Sequence, residues 1–206
     1  MSFYQAYFNE MSARICNFRE EDFKKIVQLI VNTKASSRKV MIVGNGGSAS
    51  IASHLTVDFT KNAGIQTVNF NDPCVITAFA NDCGFENWMK MAVDYYGSPG
   101  DTIILISSSG SSKNVLLAAE KAHEKKISVV TLTGFSPDNP LRKMGQINLY
   151  VPSYSYNIVE ITHSAWLVAL VDIIIGRSVY TSTENVHLIH EQTVVPPEVT
   201  VTEETA

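Results

Sequence analysis

Two rhythms of apolar and polar positions alternate along the chain. Over the first 35 residues Phe23, Ile26, Val27 and Ile30 recur at helical spacing between charges, which predicts one or two helices. Residues 39–43 then form a short continuous apolar run, and a helical pattern resumes to about Thr60. Residues 67–70 are a second strand candidate, ended by Asn71, Asp72 and Pro73. Residues 75–96 read as one or two helices interrupted near Asn81, Asp82 and Gly84. Three more strand candidates cover 101–106, 127–132 and 147–151. A helix to about Glu124 follows the first of these, and a long apolar helix over about 157–175 follows the last. Continuously apolar strands alternating with helices predict an α/β fold: a doubly wound parallel sheet between two helical layers, with extra N-terminal helices. The expected organisation is a helical arm over 1–36, an α/β domain over 37–177 and a polar tail over 178–206.

Ligands of such sheets bind beyond the carboxyl ends of the strands, and two unusual loops are expected there. The first is Gly44, Asn45, Gly46, Gly47 and Ser48, joining a strand directly to a helix. Its glycines allow a sharp turn and close approach to a ligand, and Ser48 can cap the helix. The free N–H groups of the helix start favour an anion. A plain strand-to-helix turn is the simpler alternative. Gly44, Gly46 and Ala49 also fit the dinucleotide fingerprint, with Asp72 as a distant acid; a Walker loop is excluded because no Gly-Lys-Ser/Thr follows. The second loop, Ser107, Ser108, Ser109, Gly110, Ser111 and Ser112, repeats the architecture with five hydroxyls. It makes a neutral cradle of hydroxyls and amides that a dinucleotide domain does not need.

Composition narrows the picture. Hydrophobic residues are 45% and the net charge is −4 without blocks of like charge, so no electrostatic grip on nucleic acid or anionic lipid is expected. A small anionic ligand must therefore be held by dipoles and hydroxyls. Cys16, Cys74 and Cys83 have no metal-ligand spacing and suit a reduced, cytoplasmic chain. The N-terminus lacks the layout of a signal peptide, and the longest apolar stretch, 165–175, is short and contains Asp172, so no membrane association is expected.

The segments GNGGSASIASHLTVDF, AFANDCGFEN, ISSSGSSKNVL, VVTLTG and IVEITH, in that order, resemble the SIS (sugar isomerase) domain over roughly residues 38–176, and within it the phosphoheptose isomerase (sedoheptulose 7-phosphate isomerase) group. The resemblance implies a phosphorylated sugar of five to seven carbons as ligand. It implies phosphate contacts at Ser48, Ser107, Ser108, Ser109 and Ser112, with Gly46 and Gly47 shaping the loop. It implies sugar contacts at Asn45 and Asp82, and a homotetramer whose active sites neighbouring subunits complete.

An aldose–ketose isomerase needs a base beside the carbonyl and a group that moves the hydroxyl proton. His54 and Asp58 lie at i, i+4 and share a helix face. They suit proton transfer, a metal, or merely a surface hydrogen bond. Glu160 and His163 share a face of the last helix at i, i+3. The expected catalytic set is Asp58, His54, Glu160 and His163, and His54, Asp58 and Glu160 could hold zinc. In the resembled group the Asp58 position is Glu, a proposed base, and a second His follows five residues after the His163 position. Here that residue is Val168. This departure keeps open a non-catalytic phosphosugar-binding or regulatory protein, of the DnaA-initiator-associating type, beside the isomerase. His187 and His190 read as a packed or solvated helix, and His123 as a solvated helix end. Trp88 and Trp166 read as core or interface anchors.

Overall fold

A computed structural model describes residues 1–178; the expected tail, with His187 and His190, lies outside the described residues. Two helices, α1 (Phe3–Ile15) and α2 (Glu20–Ala35), precede β1 (Val40–Gly44), α3 (Gly47–Lys61) and β2 (Thr67–Val68). Next come α4 (Pro73–Cys83), α5 (Trp88–Tyr96), β3 (Thr102–Ser107), α6 (Lys113–Glu124) and β4 (Ser128–Thr133). A 3₁₀ turn over Leu141–Lys143, β5 (Ile147–Tyr150) and α7 (Tyr156–Ile175) complete the order. The five strands form one parallel sheet in the order β2-β1-β3-β4-β5.

Each element follows from local chemistry. Every residue of β1 and β3 is buried, as expected of strands covered on both faces. The expected strand over 67–70 shrinks to Thr67–Val68, because the Asn69 side chain accepts from the Asn71 amide and turns the chain off the sheet. Asp72 caps α4, its Oδ1 accepting from the amides of Cys74 (2.7 Å) and Val75 (3.4 Å), with Pro73 at the first helical position. The break between α4 and α5 falls at Gly84, where φ is 84°.

Two apolar layers sandwich the sheet. One packs α2, α3 and α7 on one face through Phe23, Ile30, Leu55, Phe59, Leu167 and Leu170. The other packs α5 and α6 on the opposite face through Trp88, Val93, Val115 and Ala119. The N-terminal helices thus differ: α2 shares the main core, whereas α1 buries no residue. α7 is long and apolar enough to cross a membrane by length and composition. In the fold it supplies Val159, Trp166, Leu167, Leu170 and Val171 to the core, each such burial favouring the folded state by about 1.5–3 kcal/mol.

Candidate functional site

The strand order places a ligand crevice between β1 and β3. β1 continues outward to β2, while β3 continues the other way to β4 and β5. The loops after β1 and β3 therefore diverge above a shared gap, the topological switch point of a doubly wound sheet. Parallel pairing sets Gly44 opposite Ile106, so both loops leave the sheet at the same level. Between them lies a cavity of about 250 Å³. Its walls are Asn45, Gly46, Gly47 and Ser48 from the first loop, Ile106, Ser107, Ser108, Ser109 and Ser112 from the second, and Tyr156 and Glu160 from α7. All eight serine, glycine and asparagine positions expected of the two loops thus meet in one hollow.

The first loop is a two-residue connection. Gly46 caps α3 at φ 54°, ψ −121°, a left-handed conformation that L side chains rarely adopt. This corrects the expectation for Ser48: the cap is Gly46, and Ser48 is the second helical residue, buried, with its hydroxyl free to face the cavity. The amides of Gly47 and Ser48 open α3 and have no intrahelical acceptor, and both residues line the cavity. Gly47 lies directly against Glu160, so a Cβ there would strike the carboxylate.

In the second loop Ser107 Oγ lies 3.4 Å from Ser112 Oγ and accepts from the Gly110 amide at 3.2 Å. Ser109 Oγ accepts from the Ser111 amide at 3.3 Å. Ser108 Oγ is buried without a hydrogen-bond partner. A buried hydroxyl in that state costs about 1–3 kcal/mol unless a ligand engages it. Among the described residues no lysine, arginine or histidine lines the cavity. The polar wall is hydroxyls and the starts of α3 and α6, groups that favour an anion.

The site rests on a contact that the motifs did not reveal. Asn45 and Asn114 exchange two side-chain amide hydrogen bonds, each 3.0 Å, and tie the first loop to the first turn of α6. Asn114 is buried and its Oδ1 also accepts from the Val115 amide. Tyr156 is likewise a wall that sequence reasoning missed; a polar residue next to the apolar run over 115–119 was the only clue to Asn114.

The acid–base candidates separate. Glu160 is the one carboxylate on the cavity wall among the described residues, and partial burial pushes its carboxyl above the usual range. His54 Nε2 lies 3.1 Å from Asp58 Oδ2 on α3, two turns beyond the cavity, and does not line it. His163 is fully buried: Nε2 donates to Thr133 O at 3.2 Å, and burial pushes the ring pKa down to about 4. Asp82 is exposed at the end of α4, accepts from Asn81 Nδ2 at 3.0 Å, and is not a wall of the cavity.

The expected zinc site is corrected. Among the described residues no three His, Cys, Asp or Glu side chains come together to hold a metal. His54 and Asp58 face each other, and Glu160 stands apart beside Gly47. Asp72, the acid that the dinucleotide reading needs, caps α4 through Oδ1 and is not a wall of the cavity.

The profile of the SIS domain matches residues 3–134. Phosphoheptose isomerase of Helicobacter pylori is 34% identical over 161 residues, covering 75% of this chain and 83% of that protein. The structure of phosphoheptose isomerase GmhA from Neisseria gonorrhoeae superposes with a TM-score of 0.77 at 28% identity, covering 82% of this chain and 96% of that one. A phosphoheptose isomerase from Francisella tularensis gives 0.76 at 27% identity, covering 82% and 95%.

Proposed function

The chain belongs to the SIS domain family, and from that premise we propose that it is a sugar-phosphate isomerase of the phosphoheptose isomerase type. The observation that carries the reading is the single hollow between two hydroxyl-rich loops, with one partly buried carboxylate on its wall. The ester phosphate sits against Ser108, Ser112 and the amide ends of α3 and α6. The sugar then extends along Tyr156 toward Glu160. A ketose such as sedoheptulose 7-phosphate fits this layout, with its phosphate anchored and its carbonyl end directed at the acid.

Aldose–ketose interconversion moves a proton from one carbon to its neighbour. Glu160 takes and returns that proton or relays the hydroxyl proton, and burial, which raises its pKa, makes it a stronger base than a solvated carboxylate. His54 and Asp58 belong to the reaction only if a neighbouring subunit brings them to a cavity. A cytoplasmic homotetramer supplies that neighbour. Support comes from the exposed aromatic face of α1, with Phe3 and Tyr4 each 76% exposed, and from half-exposed Ile161 on α7.

A second reading, phosphosugar binding without turnover, draws on the burial of His163 and on Val168 in place of a histidine. Incubation with C5–C7 ketose and aldose phosphates in heavy water, followed by NMR, separates the two. Deuterium uptake next to the carbonyl, lost in Glu160→Gln, supports the isomerase. Binding without uptake supports the second reading, and no binding of any sugar phosphate removes both.

A further inference from the structure

A second cavity, of about 220 Å³, lies at the β5 edge of the sheet and shares no wall residue with the first. It opens between the α1–α2 connection, the 3₁₀ turn, β5 and α7. Its chemistry is the reverse of the phosphosugar seat. The first cavity has no cationic wall; this one has Arg19 and Arg142, two of the five arginines of a chain whose net charge is −4.

Arg142 is pre-oriented. Its guanidinium stacks 4.1 Å above the ring of Tyr150, and one nitrogen donates to Pro137 O at 3.0 Å. Stacking uses the face of the guanidinium and leaves its remaining edge donors for a ligand. Tyr150 is itself held, donating from its hydroxyl to Phe135 O at 2.7 Å. Arg19 is 77% exposed and reaches Asp22 only at 3.6 Å, so its charge is incompletely matched. Asn148, another wall residue, is already satisfied: its Nδ2 donates to Thr131 Oγ1 at 2.9 Å and Thr133 Oγ1 at 3.1 Å. The donors left on the wall are the two guanidiniums and the Asn17 amide, beside the rings of Phe18, Tyr150 and Trp166; the one carboxylate there among the described residues, Asp22, faces Arg19 and leaves Arg142 unopposed.

We propose that this cavity binds a small anion carried on a flat ring, a phosphate or carboxylate gripped by Arg142 and Arg19 with the ring against the aromatic wall. The volume suits one ring and one anionic group. Phenyl phosphate is the probe. Calorimetry on the full chain at low salt reads affinity, and NMR reads the two indole N–H signals, assigned with Trp88→Phe. Binding is expected to shift the Trp166 signal and not that of Trp88. Arg142→Gln should weaken binding about tenfold or more and Arg19→Gln a few-fold, as expected for lost charge-assisted bonds. Ser108→Ala with Ser112→Ala should leave this component intact. Inorganic phosphate, lacking the ring, should bind several-fold more weakly. Arg19 is exposed, so its variant decides the matter even if Arg142→Gln does not fold. The proposal is overturned if wild type shows no binding up to about 10 mM, or if binding survives both arginine substitutions. It is equally overturned if inorganic phosphate binds as well, or if binding disappears only with the serines.

Discussion

Asn45 and Asn114 hold each other through two amide hydrogen bonds of 3.0 Å, joining the loop after β1 to the helix after the loop of β3. The pair ties together the two segments that wall the hollow. Asn114 is buried, so its removal strands the Asn45 amide with both its donor and its acceptor unpaired. Asn114→Ala is expected to lower stability by about 2 kcal/mol and to weaken sugar-phosphate binding beyond that of a substitution elsewhere on α6. Urea unfolding and calorimetry check both; unchanged values would show that the pair does not position the loops.

Ser108 Oγ is a buried hydroxyl awaiting a partner, and Ser112 stands at the start of α6. Charge-assisted hydrogen bonds contribute about 1.5–3 kcal/mol each. Ser108→Ala with Ser112→Ala should therefore lower affinity for a phosphorylated sugar at least about tenfold without lowering stability, since Ser108 Oγ has no partner to lose and Ser112 makes no side-chain cap. Thermal protection by the ligand is the measurement, and protection equal to wild type would remove the phosphate seat.

Gly47 and Glu160 occupy contiguous space, and a methyl group at position 47 would push the carboxylate aside. Gly47→Ala should thus displace the Glu160 carboxylate on the cavity wall and impair proton exchange more than phosphate binding. In a Glu160→Ala background the same substitution has room, so its effect on stability should shrink. Strain of this kind costs about 1–3 kcal/mol. A double-mutant cycle with no coupling between the two positions would contradict the contact.

His163 is fully buried with its pKa lowered to about 4 from an ordinary 6.5. The unfolded chain therefore binds this proton more readily than the folded one. The stabilisation is fully present above pH 6.5 and is lost as pH falls toward 4. Its size is on the order of 3 kcal/mol. Unfolding free energies measured across that window should decline with acid, and His163→Gln, which has no proton to gain, should flatten the decline. An equal slope in wild type and variant would place the acid sensitivity elsewhere.

Periodicity and loop composition were enough for the class of fold, for five strands within a residue or two, and for the two turns that wall the cavity. Those features are local: a buried strand is apolar throughout, and a turn that approaches an anion needs glycine or hydroxyls wherever it occurs in a chain. The fate of the acid–base residues was not local. His54 with Asp58, and Glu160 with His163, satisfy the same helical spacing, yet one pair lies on the surface beyond the cavity while the other splits between wall and core. Spacing along a helix says which residues share a side, and only packing says what that side faces. The same reason hid the partnership of Asn45 with Asn114, which are separated by 69 positions and joined by the register of β1 on β3. It also hid the gathering of Arg19 and Arg142 at one edge, since neither lies in a motif and only the closing of the N-terminal helices over β5 brings their charges together.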